Sequence, residues 1–187
     1  MFKLILHHNY QGEKIIDLSG NGNHGHHSPL RLVEGRSLVT KAFYFNGIDD
    51  RIVVFPSESL INLYAIRATI WIWVEELGHR RNIMEGFLSF SFSIEADGSL
   101  RGSIYDGSIW KPIWKSDPNA IPLQEWVHIK YIYDGIDTSV LYVNDKLVAS
   151  KYGYFGKVRR IQWPFGLNIG AWPDADKFIF KGVRLMK

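Results

Sequence analysis

In this 187-residue chain, Asp and Glu carboxylates are the side chains that could act as acid and nucleophile in catalysis. Hydrolysis of a glycosidic bond needs two carboxyl groups, about 5 Å apart when one of them acts as the nucleophile. The nearest arrangement is residues 95–97, Glu-Ala-Asp, but Gly98 follows, and an Asp-Gly pair is typical of a turn. No third acid follows at the spacing that a catalytic strand requires. The sequence therefore favours a protein without enzymatic activity, and hydrolysis by Glu85 with Glu95 or Asp106 stays a weaker alternative.

Histidines are the next candidates, because a neutral imidazole can bind zinc. His24, His26 and His27 lie close together, and His24 and His26 would share one face of a strand. No third ligand stands at a suitable spacing, so a polar loop and strand explain them better. His128 has no evident Ser or Asp partner and is interpreted as a packed or sheet-surface histidine. The chain has no cysteine, which excludes disulfides, zinc-thiolate centres and cysteine nucleophiles.

Aromatic side chains, at 14% of the sequence, are the most unusual feature of the composition. Sugar rings present apolar C–H faces that stack on Trp and Tyr, and exposed aromatic patches mark binding sites. Trp71, Trp73 and Trp126 lie in strongly apolar runs, so at least two of them are predicted to be core residues. Other aromatics stand in turn-rich sequence that would leave them partly exposed. These predicted glycan-binding residues are Trp110, Trp114, Tyr152, Tyr154 and Trp172. Burial at sheet edges or in an oligomer interface is an equally good explanation of them.

The elements that must position these side chains read as β-strands. No window keeps the apolar spacing of a helix without interruption, whereas short β-rich runs separated by turn residues recur throughout. The Asp-Gly pairs at 97–98 and 134–135 and the Asn-Asp pair at 144–145 predict tight turns. One helical turn is expected over 57–63, and residues 67–74 suit a central strand covered on both faces. The predicted strands are 2–7, 42–46, 51–55, 67–74, 87–95, 100–105, 126–133, 139–143, 146–150, 167–170 and 178–186.

This pattern and the length predict one all-β domain over residues 1–187, built as a two-sheet antiparallel sandwich. The formal net charge is +3, but basic and acidic residues are interspersed, which disfavours a nucleic-acid partner. The N-terminal apolar stretch is too short for a signal peptide or a membrane span, so no membrane insertion is expected. An extracellular or virion-surface location is favoured.

Four segments carry a further pattern, in the same order along the chain. They are residues 17–25 (DLSGNGNHG), 41–52 (KAFYFNGIDDRI), 68–74 (ATIWIWV) and 126–147, which begins WVHIKYIYDG and ends LYVNDKL. Together they resemble the laminin G-like domains of the concanavalin A-like lectin/glucanase superfamily. Two departures stand out: Asp145 replaces a usual glycine, and the C-terminal strand lacks the usual acid before Arg184. The resemblance implies a jelly-roll sandwich, a fold that hosts lectins, hydrolases, adhesion modules and virion proteins.

The resemblance also raises the prospect of calcium, which many laminin G-like domains hold at the rim of the sandwich. Asp17 and the carbonyl-rich loop 20–23 offer the oxygen ligands that Ca²⁺ prefers. The alternative is that Asp17 and Ser19 only hold their own loop through turn hydrogen bonds. The predicted calcium ligands are Asp17, Asn21, Asn23, Asp49, Asp50 and Asp176.

Taken together, these features predict a non-enzymatic carbohydrate-binding or adhesion module that recognises glycans through exposed aromatics. The main alternative is a structural or attachment component of a virion or cell surface. In that case the same aromatics would contact other proteins or further copies of this chain.

Overall fold

The computed structural model describes residues 3–10, 14–27, 29–153, 166–171 and 181–186. Within these ranges the chain forms sixteen β-strands and one short helix. The first strands are β1 (His8–Asn9), β2 (Ile16–Asp17), β3 (His26–His27), β4 (Arg31–Glu34), β5 (Lys41–Asn46) and β6 (Ile52–Val54), followed by α1 (Glu58–Ile61). The central strands are β7 (Ile66–Val74), β8 (Arg81–Gly86), β9 (Phe90–Ile94), β10 (Leu100–Tyr105) and β11 (Trp110–Lys115). The last are β12 (Trp126–Tyr133), β13 (Thr138–Val143), β14 (Lys146–Tyr152), β15 (Leu167–Ile169) and β16 (Lys181–Met186).

The strands pair into two seven-stranded antiparallel sheets and one small two-stranded sheet. The first sheet has the order β11-β10-β9-β8-β15-β6-β3, and the second has the order β14-β13-β12-β7-β16-β5-β4. The small sheet joins β1 to β2. The predicted all-β, two-sheet sandwich of jelly-roll type is confirmed.

The core lies between the two large sheets, where alternate side chains of each strand are buried. Phe92 of the first sheet and Tyr131 of the second have ring centroids 5.6 Å apart, and both side chains are fully buried. Gly102 leaves the room for this contact, because a Cβ there would lie 2.8 Å from the Tyr131 ring. The two inner faces therefore interdigitate around a single core.

Strand β7 differs from its prediction, because only one of its faces is covered. Ile70 and Ile72 point into the core, whereas Arg67 and Thr69 on the opposite face are exposed. The prediction of a strand buried on both faces is therefore wrong. An antiparallel sheet commonly packs on the core with one face and meets solvent with the other.

The strand predicted at residues 2–7 is also displaced, since the first observed strand is β1 at His8–Asn9. The preceding residues bond to a loop instead of to a neighbouring strand. His7 donates its backbone N–H to the Asp17 carboxylate, and the Ile5 carbonyl accepts from Ser19 and Asn23.

The predicted turns are confirmed, and so is the helical turn, where Ser57 caps α1 by accepting from the Leu60 N–H. Asn144 and Asp145 both adopt positive φ, at 47° and 62°. Asp145 thus accepts the left-handed conformation in place of glycine.

Candidate functional site

The outer face of the second sheet carries three tryptophans on neighbouring strands. Trp71 and Trp73 alternate with the buried residues of β7, and Trp126 lies on β12, where its Cα pairs with that of Trp73. All three side chains are half-buried. The prediction that at least two of them belong to the core is wrong. The alternation in β7 could have predicted these outward positions, because Trp71 and Trp73 must face outward when Ile70 and Ile72 face the core.

The rings on this face contact one another in two pairs. Trp73 and Trp126 have centroids 6.0 Å apart and meet edge to face, with planes at 67°. Trp71 lies 4.9 Å from the His128 ring, its register partner on β12. We call Trp71, Trp73, Trp126 and His128 the tryptophan face.

Basic side chains stack on the same side of the sheet. The Arg36 guanidinium carbon lies 3.4 Å from the centroid of Trp71, and that of Arg31 lies 4.5 Å from Tyr44. Tyr44 is separated from Trp73 by one strand, since Arg184 of β16 pairs with both. The face therefore combines aromatic surface with positive charge, the combination that gives cation–π contacts.

Polar groups border the tryptophan face on its β13–β14 side. The backbone N–H of His128 donates to the Asn144 side-chain oxygen at 2.9 Å, and Lys130 Nζ lies 3.0 Å from the Asp145 carboxylate. Burial lowers the pKa of His128, and the nearby Lys130 and Arg36 lower it further while Asp145 opposes them. His128 is accordingly neutral at pH 7, and its Nε2 forms a hydrogen bond with the Thr69 hydroxyl.

The aromatics predicted to be exposed behave differently from one another. Trp110 is half-buried on edge strand β11, with its ring 5.4 Å from Tyr105. Trp114 is only 7% exposed and packs against Tyr131, so its predicted exposure is wrong. An edge strand still turns one face to the core, and Trp114 lies on that face. Tyr152 is 69% exposed. The remaining candidates, Tyr154 and Trp172, lie outside the described residues.

Trp110 and Tyr152 lie toward the same end of the sandwich. Edge strands β11 and β14 contact each other, and a groove of about 610 Å³ separates the residues after β11 from the β13–β14 turn. Ser116 and Asn119 line one wall of this groove, and Leu147 lines the other. Trp110 begins β11 and Tyr152 ends β14, so both stand at the end away from the groove.

The predicted calcium loop is organised by Asp17. Its buried carboxylate accepts from the backbone N–H groups of His7, Ser19 and Asn23 and from the Ser19 hydroxyl, at 2.8–2.9 Å. Burial alone would raise the Asp17 pKa, but the bonds from Ser19 and Asn23 outweigh it and lower the pKa. Asn21 bonds to the Leu4 and Ile5 carbonyls. An ion at Asp17 would have to displace hydrogen bonds from its own chain.

The other predicted calcium ligands lie in a separate turn. Asp50 accepts from the Asn46 N–H at 2.6 Å, and Asp49 accepts from the Asn46 side chain at 2.8 Å. Asp176 lies outside the described residues. The described ranges contain no group of three or more His, Cys, Asp or Glu that could hold a metal. Calcium binding stays a prediction.

The histidines near the N-terminus do not converge. His24 accepts from the Asp17 N–H at 3.1 Å. His26 stacks on Phe55 at 4.6 Å, and the His27 ring lies 5.3 Å from Phe43. Each histidine thus contacts a different neighbour.

The candidate catalytic acids are engaged in ion pairs or hydrogen bonds. Glu95 lies 3.2 Å from Arg101 and 3.6 Å from Arg80. Buried Glu85 accepts from the Asn82 side chain at 3.0 Å. Asp106 accepts from the Ser108 and Ile109 N–H groups and from Lys111, and these bonds hold its pKa well below its usual range.

Hydrogen bonds and ion pairs lower the pKa of five described carboxyl groups: Asp17, Asp97, Asp106, Asp134 and Asp145. A glycosidase needs one carboxyl group with a raised pKa as its general acid, and Asp106 does not have that property.

Comparison with known proteins shows the fold alone. Neither the protein-family models nor the curated proteins gave a match. The binding domain of Paraclostridial Mosquitocidal Protein 1 superposes with a TM-score of 0.75 at 19% identity, over 98% of this chain and 47% of that one. The receptor binding domain of botulinum neurotoxin C/D mosaic serotype gives 0.71 at 14% identity, over 98% and 46%.

A third solved structure matches along nearly its whole length. Domain 4 of AbnA, a GH43 extracellular arabinanase from Geobacillus stearothermophilus, was solved in complex with arabinotriose; its TM-score is 0.68 at 18% identity, over 98% of this chain and 91% of that one. The chain thus spans about half the length of the toxin domains that it matches and nearly all of the arabinanase domain. By fold the protein is a jelly-roll-type β-sandwich. No helix in the described residues is long and apolar enough to cross a bilayer.

Proposed function

We propose that this protein is a non-enzymatic carbohydrate-binding module of the laminin G-like kind, and that the tryptophan face is its binding site. The observation that carries the proposal is the placement of Trp71, Trp73 and Trp126 on the outer face of one sheet, where each side chain is half-buried and His128 lies in the same array. Contiguous apolar patches on a protein surface mark sites that bind a ligand or a partner.

The geometry of the tryptophan face suits a sugar chain. Trp73 on β7 and Trp126 on β12 have ring centroids 6.0 Å apart, so they present two adjacent apolar surfaces, set at an angle, to a sugar chain. Lys130 and Asp145 border the rings and can bond to sugar hydroxyls. The arabinotriose complex of the arabinanase domain is consistent with this use of the fold.

A second glycan contact is proposed at the end where Trp110 and Tyr152 lie. The Tyr152 side chain is largely exposed, and part of the Trp110 side chain is exposed. This is the site that the sequence predicted, reduced to the two members whose exposure the described residues support.

The test is a glycan array probed with wild type and two matched double variants, Trp73→Ala/Trp126→Ala and Trp110→Ala/Tyr152→Ala. We expect the first variant to weaken binding at least about tenfold, because stacking contributes about 1.4 kcal/mol or more. A loss confined to the second variant would move the site to the end of the sandwich. A blank array with folded wild-type protein would refute glycan binding. Parallel runs with calcium and with EDTA test the predicted ion at Asp17.

The competing candidate is a surface attachment protein that uses the tryptophan face for protein contacts. The stacking of Arg36 on Trp71 favours it, since Trp and Arg dominate the energetically important centres of protein interfaces. Light scattering distinguishes the two functions. A stable oligomer that Trp73→Ala/Trp126→Ala dissociates would support the attachment role.

A further inference from the structure

Five large apolar side chains stand out from loops and strand ends of the sandwich. Leu38 and Val39 are 88% and 86% exposed, Tyr64 and Tyr152 are each 69% exposed, and Ile136 is 66% exposed. Leaving large apolar side chains in water forgoes the favourable free energy of burying them.

Three of these residues lie at the β12–β13 turn. The turn holds Ile136, and Tyr152 at the end of β14 pairs with Thr138 just after it. Tyr64 precedes β7, and its carbonyl oxygen lies 2.3 Å from the position that a Cβ on Gly135 would take. Separate parts of the chain thus bring apolar groups to one end of the molecule.

The β4–β5 hairpin adds Leu38 and Val39 to the same end. Strands β5 and β7 both run antiparallel to β16, and Leu185 of β16 pairs with Phe43 and with Ile72. The residues before β5 therefore lie at the end of the sheet where β7 begins, with β16 between the two strands. The turn is closed by a Gly35 N–H bond to the Thr40 carbonyl. We call Leu38, Val39, Tyr64, Ile136 and Tyr152 the apolar end.

Basic residues accompany the apolar end. Lys41 follows the hairpin tip, Arg67 follows Tyr64 and Lys151 precedes Tyr152; all three are exposed. Three acids lie near them. Exposed Glu34 is the register partner of Lys41, Asp134 accepts three backbone N–H bonds within its own turn, and Asp137 accepts from the Thr138 hydroxyl.

We infer that the apolar end docks on the surface of an anionic lipid bilayer, with its loop tips in the interfacial layer and its basic residues against the headgroups. Aliphatic tips on separate loops suit a bilayer because it deforms around each one, whereas a protein partner needs a continuous complementary surface. Tyrosines favour the boundary between apolar and wet surroundings, and lysines and arginines are drawn to anionic lipids. Loop tips reach only this outer layer, so no spanning segment is required.

The test is co-sedimentation of the full chain with vesicles of phosphatidylcholine alone and of phosphatidylcholine with phosphatidylserine, neither of which carries a glycan. We expect binding to the anionic vesicles, weakened at least about tenfold by Leu38→Asp/Val39→Asp, because two apolar tips are lost and two like charges face the headgroups. The matched control is Ile48→Asp, which changes a 73% exposed side chain in the β5–β6 turn at the opposite end. It should bind as wild type does.

Two results would overturn the inference: wild type sediments no better with the anionic vesicles than with phosphatidylcholine alone, or the tip variant and Ile48→Asp bind equally well. A self-associated wild type that Leu38→Asp/Val39→Asp renders monomeric in the absence of lipid would make the apolar end an interface between copies. Because the vesicles lack sugars, the result is independent of the glycan array.

Discussion

His8 is a buried histidine whose protonation is coupled to folding. Its Nε2 lies 2.8 Å from the Asn23 carbonyl, which can only accept, so Nε2 carries the proton of the neutral ring. Burial is the largest effect on the His8 pKa and lowers it, although Asn23 and Asp17 oppose the shift. The folded protein therefore prefers the neutral form.

We expect this preference to make the protein less stable in mild acid. Well above about pH 6.5 the ring is neutral in both the folded and the unfolded state, so its burial does not make stability depend on pH there. Below that pH the unfolded chain binds a proton that the folded chain resists, so the free energy of unfolding falls until the pH passes below the folded pKa. Urea unfolding of wild type and His8→Gln at pH 7.5 and pH 5 measures the effect.

Glutamine keeps a donor for the Asn23 carbonyl but does not titrate. The loss of stability between the two pH values should be smaller for His8→Gln than for wild type. An equal loss in both proteins would assign the acid sensitivity to other groups.

The tryptophans show what residue type alone can and cannot reveal. Trp71 and Trp114 both lie in aromatic-rich strands, yet the first is on the solvent side and the second is buried. The alternation around Trp71 could have predicted its position, because Ile70 and Ile72 face the core and the residue between them must face the solvent side. No such pattern was available for Trp114, because Pro112 and the flanking lysines obscure the alternation of β11.

At the scale of elements, the turns determine which strands pair. The glycines in these turns differ in whether there is room for a side chain in their place. Gly135 and Gly107 both adopt positive φ, at 85° and 107°. A Cβ at Gly135 would collide with the Tyr64 carbonyl, whereas one at Gly107 would meet nothing within 4 Å.

Gly135→Ala should therefore destabilise the protein more than Gly107→Ala does. Both substitutions strain the backbone by about 1–2 kcal/mol, and only the first must also move the loop at Tyr64, for a total above about 3 kcal/mol. Thermal unfolding of the two variants beside wild type checks this order. Equal melting temperatures would mean that the loop before β7 yields without cost.

Most elements were predictable because their turns and alternation agree. The hairpins at Asp97-Gly98 and Asp134-Gly135 and the long strands β7 and β12 follow directly from these signals. The displacement of the first strand could not be predicted, because the apolar run at 2–7 has the composition of a strand. The backbone groups of its described residues instead form hydrogen bonds with the Asp17 loop. Hydrogen bonds between a side chain and backbone groups far away in the sequence produce no repeating pattern from which they could be predicted.

At the scale of the whole molecule, both sheets share one core, in which Phe92 and Trp114 of the first sheet contact Tyr131 of the second. The predicted single domain should therefore unfold as one unit. Urea unfolding followed by far-ultraviolet circular dichroism and by tryptophan fluorescence should give the same midpoint. Separate midpoints would show that the sheets unfold independently.

The fold could be predicted in advance, but the candidate site could not be predicted in the same detail. Core positions repeat along every strand, so an error at one position is corrected by the others. A binding surface depends on which loops share an end and which strands lie side by side. Tyr64 and Ile136 are far apart in sequence, and only the antiparallel pairing of β7 with β12 brings their turns together.

The edge-to-face contact between Trp73 and Trp126 has an optical consequence. Two indoles held at a fixed angle 6.0 Å apart couple their electronic transitions, and the coupling depends on that angle. The near-ultraviolet circular dichroism spectrum should therefore contain a component from this pair that Trp73→Ala or Trp126→Ala removes. A ligand that settles on the rings would change this component, so the protein carries a built-in chromophore for reporting occupancy without any added label.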